Sequence, residues 1–220
     1  MEKVKKSRIE IPKYTLGEEL VSAISHGIGA VFGVVGLVLC LIKAVSTNDA
    51  LRITCAAVYG STLIVLYAMS TMYHSLKVNR AKKVFRVIDH CSIYLLIAGT
   101  YTPYSLITLQ GWVGYAIFAA VWITAIVGIV FSAIDLKKFR AFAMTAYIAM
   151  GWVIILAIKP LIDSLATAGL WLLFIGGVAY TLGVLPFALG KKHKYMHSLF
   201  HFFVLAGSIL HFLSIYLYVL

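Results

Sequence analysis

Long apolar runs separated by short charged intervals set the pattern of this chain. Seven such runs occupy about residues 21–42, 53–76, 87–107, 112–134, 141–158, 165–189 and 198–220. Most reach the ~20 residues that cross a hydrocarbon core as an α-helix. The fifth, bounded by Arg140 and Lys159, is the shortest. Periodicity does not separate a buried helix from a buried strand here, but length does. Open strands in lipid would leave backbone N–H and C=O groups unpaired, so helices are required. The expected fold is an all-α membrane protein: a seven-transmembrane-helix bundle over residues 17–220, preceded by a cytoplasmic tail over residues 1–16. An interfacial turn around Ile9, Ile11 and Tyr14 suits the tail.

Composition agrees with this reading. Hydrophobic residues make up 62% of the chain and the mean hydropathy is +0.96, more than a soluble domain needs for its core. The net charge of +11 suggests nucleic acid until its distribution is seen. Sixteen of the 19 basic residues lie before run 1 or in the loops after runs 2, 4 and 6; only Lys43, Arg52 and Lys159 fall in the alternate loops. That asymmetry places the N-terminus in the cytoplasm and the C-terminus outside. The partners it implies are membrane lipids with anionic head groups, with no need for nucleic acid. No small-residue cleavage site follows run 1, which reads as a retained helix. Cys40, Cys55 and Cys91 form no C-x-x-C pair and read as small packing residues. Short loops make consecutive helices antiparallel neighbours, and Gly29-x-x-x-Gly33 predicts close packing of the first.

Candidate chemistry comes from the few ionisable groups inside the runs: His74, Asp89, His197 and His201. Such groups are costly in a membrane span and mark functional sites. Lys77, Arg86 and Lys194 lie three residues from His74, Asp89 and His197. If the basic residues mark one membrane face, the site lies about one turn inside it at ~1.5 Å per residue. His197 and His201 share one helical face at i and i+4, the spacing a shared metal ion needs. Their alternative is hydrogen bonding to head groups or carbonyls. With His74 they match the three-histidine set of a catalytic zinc site with an open fourth position. Zinc there would lower the pKa of a bound water to about 7.

Ser70, one turn before His74, suits a residue that orients the imidazole or holds a water; back-bonding to its own helix is the alternative. Asp89 suits a general base or a further ligand, against an ion pair with Arg86 at i−3. Glu19 and His26 either pair or hold the basic loops over the site. His90 is read as structural, and His211, ~15 Å along the helix from His201, as outside the cluster. Tyr101-Thr102-Pro103 is expected to bend or end the third helix.

At these positions the chain resembles the haemolysin III family, the bacterial branch of the progestin and adiponectin receptor proteins. The resemblance runs from about Glu18 to the C-terminus. It rests on Glu19-x6-His26, Ser70-x3-His74, the Asp89 segment running to Thr100-Tyr101-Thr102-Pro103, and His197-x3-His201. Ser22 departs from the pattern, since many relatives carry asparagine there. The resemblance implies zinc on His74, His197 and His201, with Asp89 and Ser70 near its water. It implies a place in the bacterial plasma membrane and a link to membrane hydrolases that include alkaline ceramidases.

The expected function is a zinc-dependent hydrolase acting on a lipid-like amide or ester. The alternative is a haemolysin-type pore-forming or lytic protein, or a regulator of membrane state, in which zinc is structural. The spans lack the polar rings of a wide monomeric pore, which leaves an oligomer open. A seven-helix receptor or light-driven pump does not fit: the orientation is opposite to that of the G-protein-coupled class, and the last span carries no lysine. A cavity reaching the bilayer core beside the histidines favours the hydrolase, and a closed site favours the staple.

Overall fold

The structure, a computed structural model, describes residues 11–190 and 192–220. Helices account for its regular structure, and no strand occurs among the described residues. They are α1 (Leu16–Val45), α2 (Ala50–Ser75), α3 (Arg80–Pro103), α4 (Gly111–Ile134), α5 (Arg140–Trp152), α6 (Ile158–Ser164), α7 (Thr167–Leu189) and α8 (Met196–Tyr218). Six stretches are long and apolar enough to cross a membrane: α1, α2, α4, α7, α8 and the combined segment Arg140–Ser164. The expected fifth run is thus a broken helix, α5 and α6 joined by a 3₁₀ stretch at Val153–Ala157. It also runs further than residue 158, where the sequence pattern ended.

Burial follows the logic of lipid rather than water. On α1 the buried positions include Ser25, Gly29, Gly33, Gly36, Cys40 and Ala44, while Ile24, Ile28, Val31, Val35 and Ile42 are exposed. Small residues face the neighbours and large apolar ones face outward, which lets helices approach closely where no water drives them together. The glycines of α1 serve that approach: a Cβ on Gly29 would stand 2.4 Å from the Tyr67 ring.

The α3 helix falls short of the apolar criterion because Arg80, Lys82, Lys83, Arg86 and Asp89 occupy its first half. Its second half is enclosed, with Tyr94, Leu96, Ala98, Gly99, Thr100, Tyr101 and Thr102 all buried. Pro103 ends the α-helical hydrogen bonding, as the sequence suggested. The chain continues as a wider π-helical turn, Tyr104–Leu109. α4 starts in contact with that turn, so a Cβ on Gly114 would meet the Ser105 carbonyl oxygen at 2.1 Å. Because the obstacle is backbone, Gly114→Ala is expected to destabilise by at least the ~1–3 kcal/mol typical of overpacking. A Cβ on Gly151 meets nothing within 4 Å, so Gly151→Ala is the control, neutral or slightly stabilising by helix propensity. Thermal unfolding in detergent compares the two.

Candidate metal centre

The start of α1 organises the site. Thr15 caps the helix in a reciprocal box with Glu18, whose backbone N–H donates to the Thr15 hydroxyl, an arrangement that satisfies two otherwise unpaired N–H groups. Glu18 Oε1 also accepts the Tyr195 backbone N–H at 2.8 Å. Tyr195 immediately precedes α8 and holds φ 61°, a left-handed conformation that a bulky residue adopts only under constraint. The Ser198 hydroxyl donates to the Glu18 carbonyl and lies 3.1 Å from the Ser22 hydroxyl. The beginning of α8 is therefore fastened to the first turns of α1, and His197 and His201 follow directly.

On that frame three imidazoles converge. His197 Nε2 lies 3.4 Å from His74 Nε2 and 3.2 Å from His201 Nε2. All three residues are buried, and their ligand atoms lie within 4.8 Å of one another. The Glu19 carboxylate fixes the proton on one of them: its Oε2 is 2.7 Å from His74 Nδ1. An ionised carboxylate only accepts, so His74 Nδ1 carries hydrogen and, in the neutral ring, Nε2 presents a lone pair. A single N–H on His197 Nε2 can point at one neighbouring nitrogen, not at both. A shared cation would satisfy all three lone pairs at once. The group fits a metal ion, and neutral imidazole nitrogens suit zinc among others.

Ser70 is buried on α2 one turn before His74, and its side chain interacts with Asp89. Its neighbour Thr71 back-bonds to the Tyr67 carbonyl at 2.7 Å. Asp89 Oδ2 stands 3.6 Å from His90 Nδ1; among the described residues, Arg86 Nε is buried without a hydrogen-bond partner. Asp89 is outside the converging ligand group but close enough to interact electrostatically with His197 and His26.

Of the two roles considered for Glu19 and His26, mutual pairing does not occur. Glu19 binds His74 and Lys82, so it ties down the basic segment at the start of α3. His26 instead lies against His201, ring centroids 3.8 Å apart, and edge-on to Tyr67.

Three contributors, Tyr14, Lys82 and Glu18, are not assigned to the site by the sequence pattern. Tyr14 stacks on His197 with centroids 4.9 Å apart and planes 13° apart, so the segment leading into α1 covers the site. Burial pushes the Tyr14 hydroxyl above its ordinary range, keeping it neutral. Ile11 and Tyr14 belong to a segment with neither helix nor turn; Ile9 lies outside the described residues. In the sequence Lys82 reads only as loop charge, and Glu18 only as the start of the family resemblance. Lys82 precedes Asp89 by two helical turns, a shared face that the sequence already contained.

An apolar cleft lies beyond Phe187 and Phe200, which pack on His197. Two cavities of about 140 and about 480 Å³ share Thr100, Tyr101, Gly151, Trp152, Gly177 and His211 as walls. The smaller reaches Phe187 and Phe200, whose rings lie 6.1 and 5.8 Å from that of His197. The larger extends past Ile155 and Phe174, which are themselves exposed on the outer surface. The cleft thus opens sideways; none of the three histidines lines it, and Phe187 and Phe200 stand between its inner wall and His197. His211, excluded from the cluster by distance, proves to line the cleft, with Nε2 3.0 Å from the Leu173 carbonyl.

Known proteins match along most of the chain. The family described as Haemolysin-III related matches residues 14–212. The chain is 42% identical to "Hemolysin-3" of Bacillus cereus, covering 92% of each. It is 40% identical to "Hemolysin-3 homolog" of Bacillus subtilis (strain 168), over 93% of this chain and 96% of that one. A more distant match, 27% identical, covers 86% of the human "Monocyte to macrophage differentiation factor". No solved structure gives a significant match.

Proposed function

The chain belongs to the Haemolysin-III related family of multi-pass membrane proteins, and we propose that it is a zinc-dependent hydrolase cleaving an amide or ester bond of a lipid-like substrate. The convergence of three buried imidazoles, with an apolar cleft whose walls Phe187 and Phe200 lie against His197, supports this reading. His74, His197 and His201 would hold the zinc. When bound, zinc supplies Lewis acidity that activates water at neutral pH and polarises the substrate carbonyl. Asp89 would take up the proton that the attacking water releases and return it to the amine or alcohol that leaves as the C–N or C–O bond breaks, and Ser70 orients that carboxylate. The side opening receives the apolar chain of a substrate diffusing in the bilayer, and Tyr14 shields the reaction from bulk water.

The same proposal takes α3 as a seventh span in the plasma membrane, with the N-terminus and the metal site on the cytoplasmic side. α3 needs no apolar exterior because the bundle encloses its second half, and the basic loops supply the orientation.

A second reading, in which the metal braces a lytic or regulatory protein, is favoured by the name Hemolysin-3 borne by the relatives. One substitution tests the part of the cleft in the first reading. Gly151 lines both cavities, and its missing side chain faces open space. Gly151→Leu is expected to fill the cleft, keep the metal, and lower turnover of lipid amides or esters at least tenfold. Zinc content by elemental mass spectrometry and product release by chromatography check it; unchanged turnover with a filled cleft removes the cleft from the mechanism.

A further inference from the structure

Lys82 is a fully buried lysine at the start of α3 and has no role in the chemistry above. Its ammonium lies 2.6 Å from Glu19 Oε1 and 2.9 Å from the Leu76 carbonyl. It also stands over the Tyr73 ring, 5.0 Å from the centroid. Asn79 caps this turn, its Oδ1 accepting the Lys82 N–H at 2.8 Å, so the backbone carrying the lysine is fixed as well. Glu19 therefore divides its two oxygens, one to Lys82 and the other to His74 Nδ1 at 2.7 Å. Helices α1, α2 and α3 each contribute one member of this chain of contacts.

A buried ion pair is a poor source of stability, since desolvation offsets its attraction. It does define geometry. With one oxygen occupied by Lys82, the carboxylate cannot rotate away from the imidazole. His74 is thereby held with hydrogen on Nδ1 and its lone pair on Nε2, directed at the convergence of the other two rings. Carboxylate partners of this kind fix the tautomer of a metal-binding histidine and raise its basicity, and their loss typically weakens metal binding ~10–100-fold.

We propose that Glu19, clamped by Lys82, is the positioning residue that sets the tautomer of His74 and with it the metal affinity of the three-histidine site. The proposal rests on the metal-binding reading of that site. It makes the start of α3 part of the metal centre although α3 contributes no ligand to it.

The test uses the full-length protein in detergent, with zinc itself as the probe, competed against a chelator of known affinity. Glu19→Gln is compared with Glu19→Leu/Lys82→Met, which removes both charges and the acceptor together and leaves no buried charge uncompensated. Both variants are expected to bind zinc about 10- to 100-fold more weakly. Nitrogen-15 spectra of histidine-labelled, metal-free protein provide a readout that general loosening would not mimic: a His74 Nδ1–H signal in wild type, lost or mixed with the other tautomer in both variants. If Glu19→Gln does not fold, the charge-balanced double variant decides alone. Wild-type zinc affinity together with an unchanged His74 tautomer in the double variant overturns the proposal. Failure of the wild type to bind zinc would instead count against the proposed function, while the tautomer measurement still tests the role of Glu19.

Discussion

A chain carrying His197→Ala and His201→Ala is expected to purify without metal and without turnover, yet as an inserted bundle. Two of three ligand nitrogens disappear, and a single imidazole cannot retain the ion through purification. The bundle survives because α8 has anchors independent of the imidazoles. Ser198 holds the start of α1, Ser208 accepts the Tyr67 hydroxyl at 2.7 Å, and Ser214 donates to the Gly169 carbonyl at 2.8 Å. Elemental mass spectrometry should find about one zinc per wild-type chain and essentially none in the double variant, with matching elution in detergent. Equal metal in both would place the ion elsewhere.

Asp89→Asn is the second large effect. Positioned acid–base groups typically contribute ~10²–10⁴-fold to rate, and that is the loss expected in turnover. Zinc content is expected to stay at the wild-type level, because Asp89 lies outside the converging ligand atoms. The asparagine keeps the shape beside Ser70 and His90 but cannot take up a proton. Rate constants and metal content measured on the same preparation separate the roles. Loss of metal along with rate would make Asp89 a ligand; full activity would remove it from the chemistry.

The sequence made some parts of this arrangement legible and concealed others. His197 and His201 could be grouped because i and i+4 lie on one helical face whatever the tertiary packing. His74 joined them through depth, counted from Lys77. Helical class and membrane character followed from run length, which depends on bilayer thickness rather than on contacts. Glu19 carried two readings, pairing with His26 or holding the basic loops over the site; its partners, His74 and Lys82, come from α2 and α3, and nothing local names them. Tyr14 looked like an interfacial residue because an aromatic in a basic tail usually is one, whereas here it stacks on His197. The cleft was invisible for a different reason. Its walls are ordinary apolar and small residues, and the opening arises from the break between α5 and α6, where the pattern suggested only a short span.

The most direct test of the central claim is metal-dependent hydrolysis by the purified wild-type protein. Lipid amides and esters are supplied in detergent or vesicles, and product is measured before chelation, after chelation, and after zinc is restored. A metal-dependent intramembrane hydrolase releases product, stops on chelation, and recovers with zinc. Protein that holds one zinc per chain yet releases no product from any lipid amide or ester contradicts the account and leaves the metal as a brace in a lytic or regulatory membrane protein.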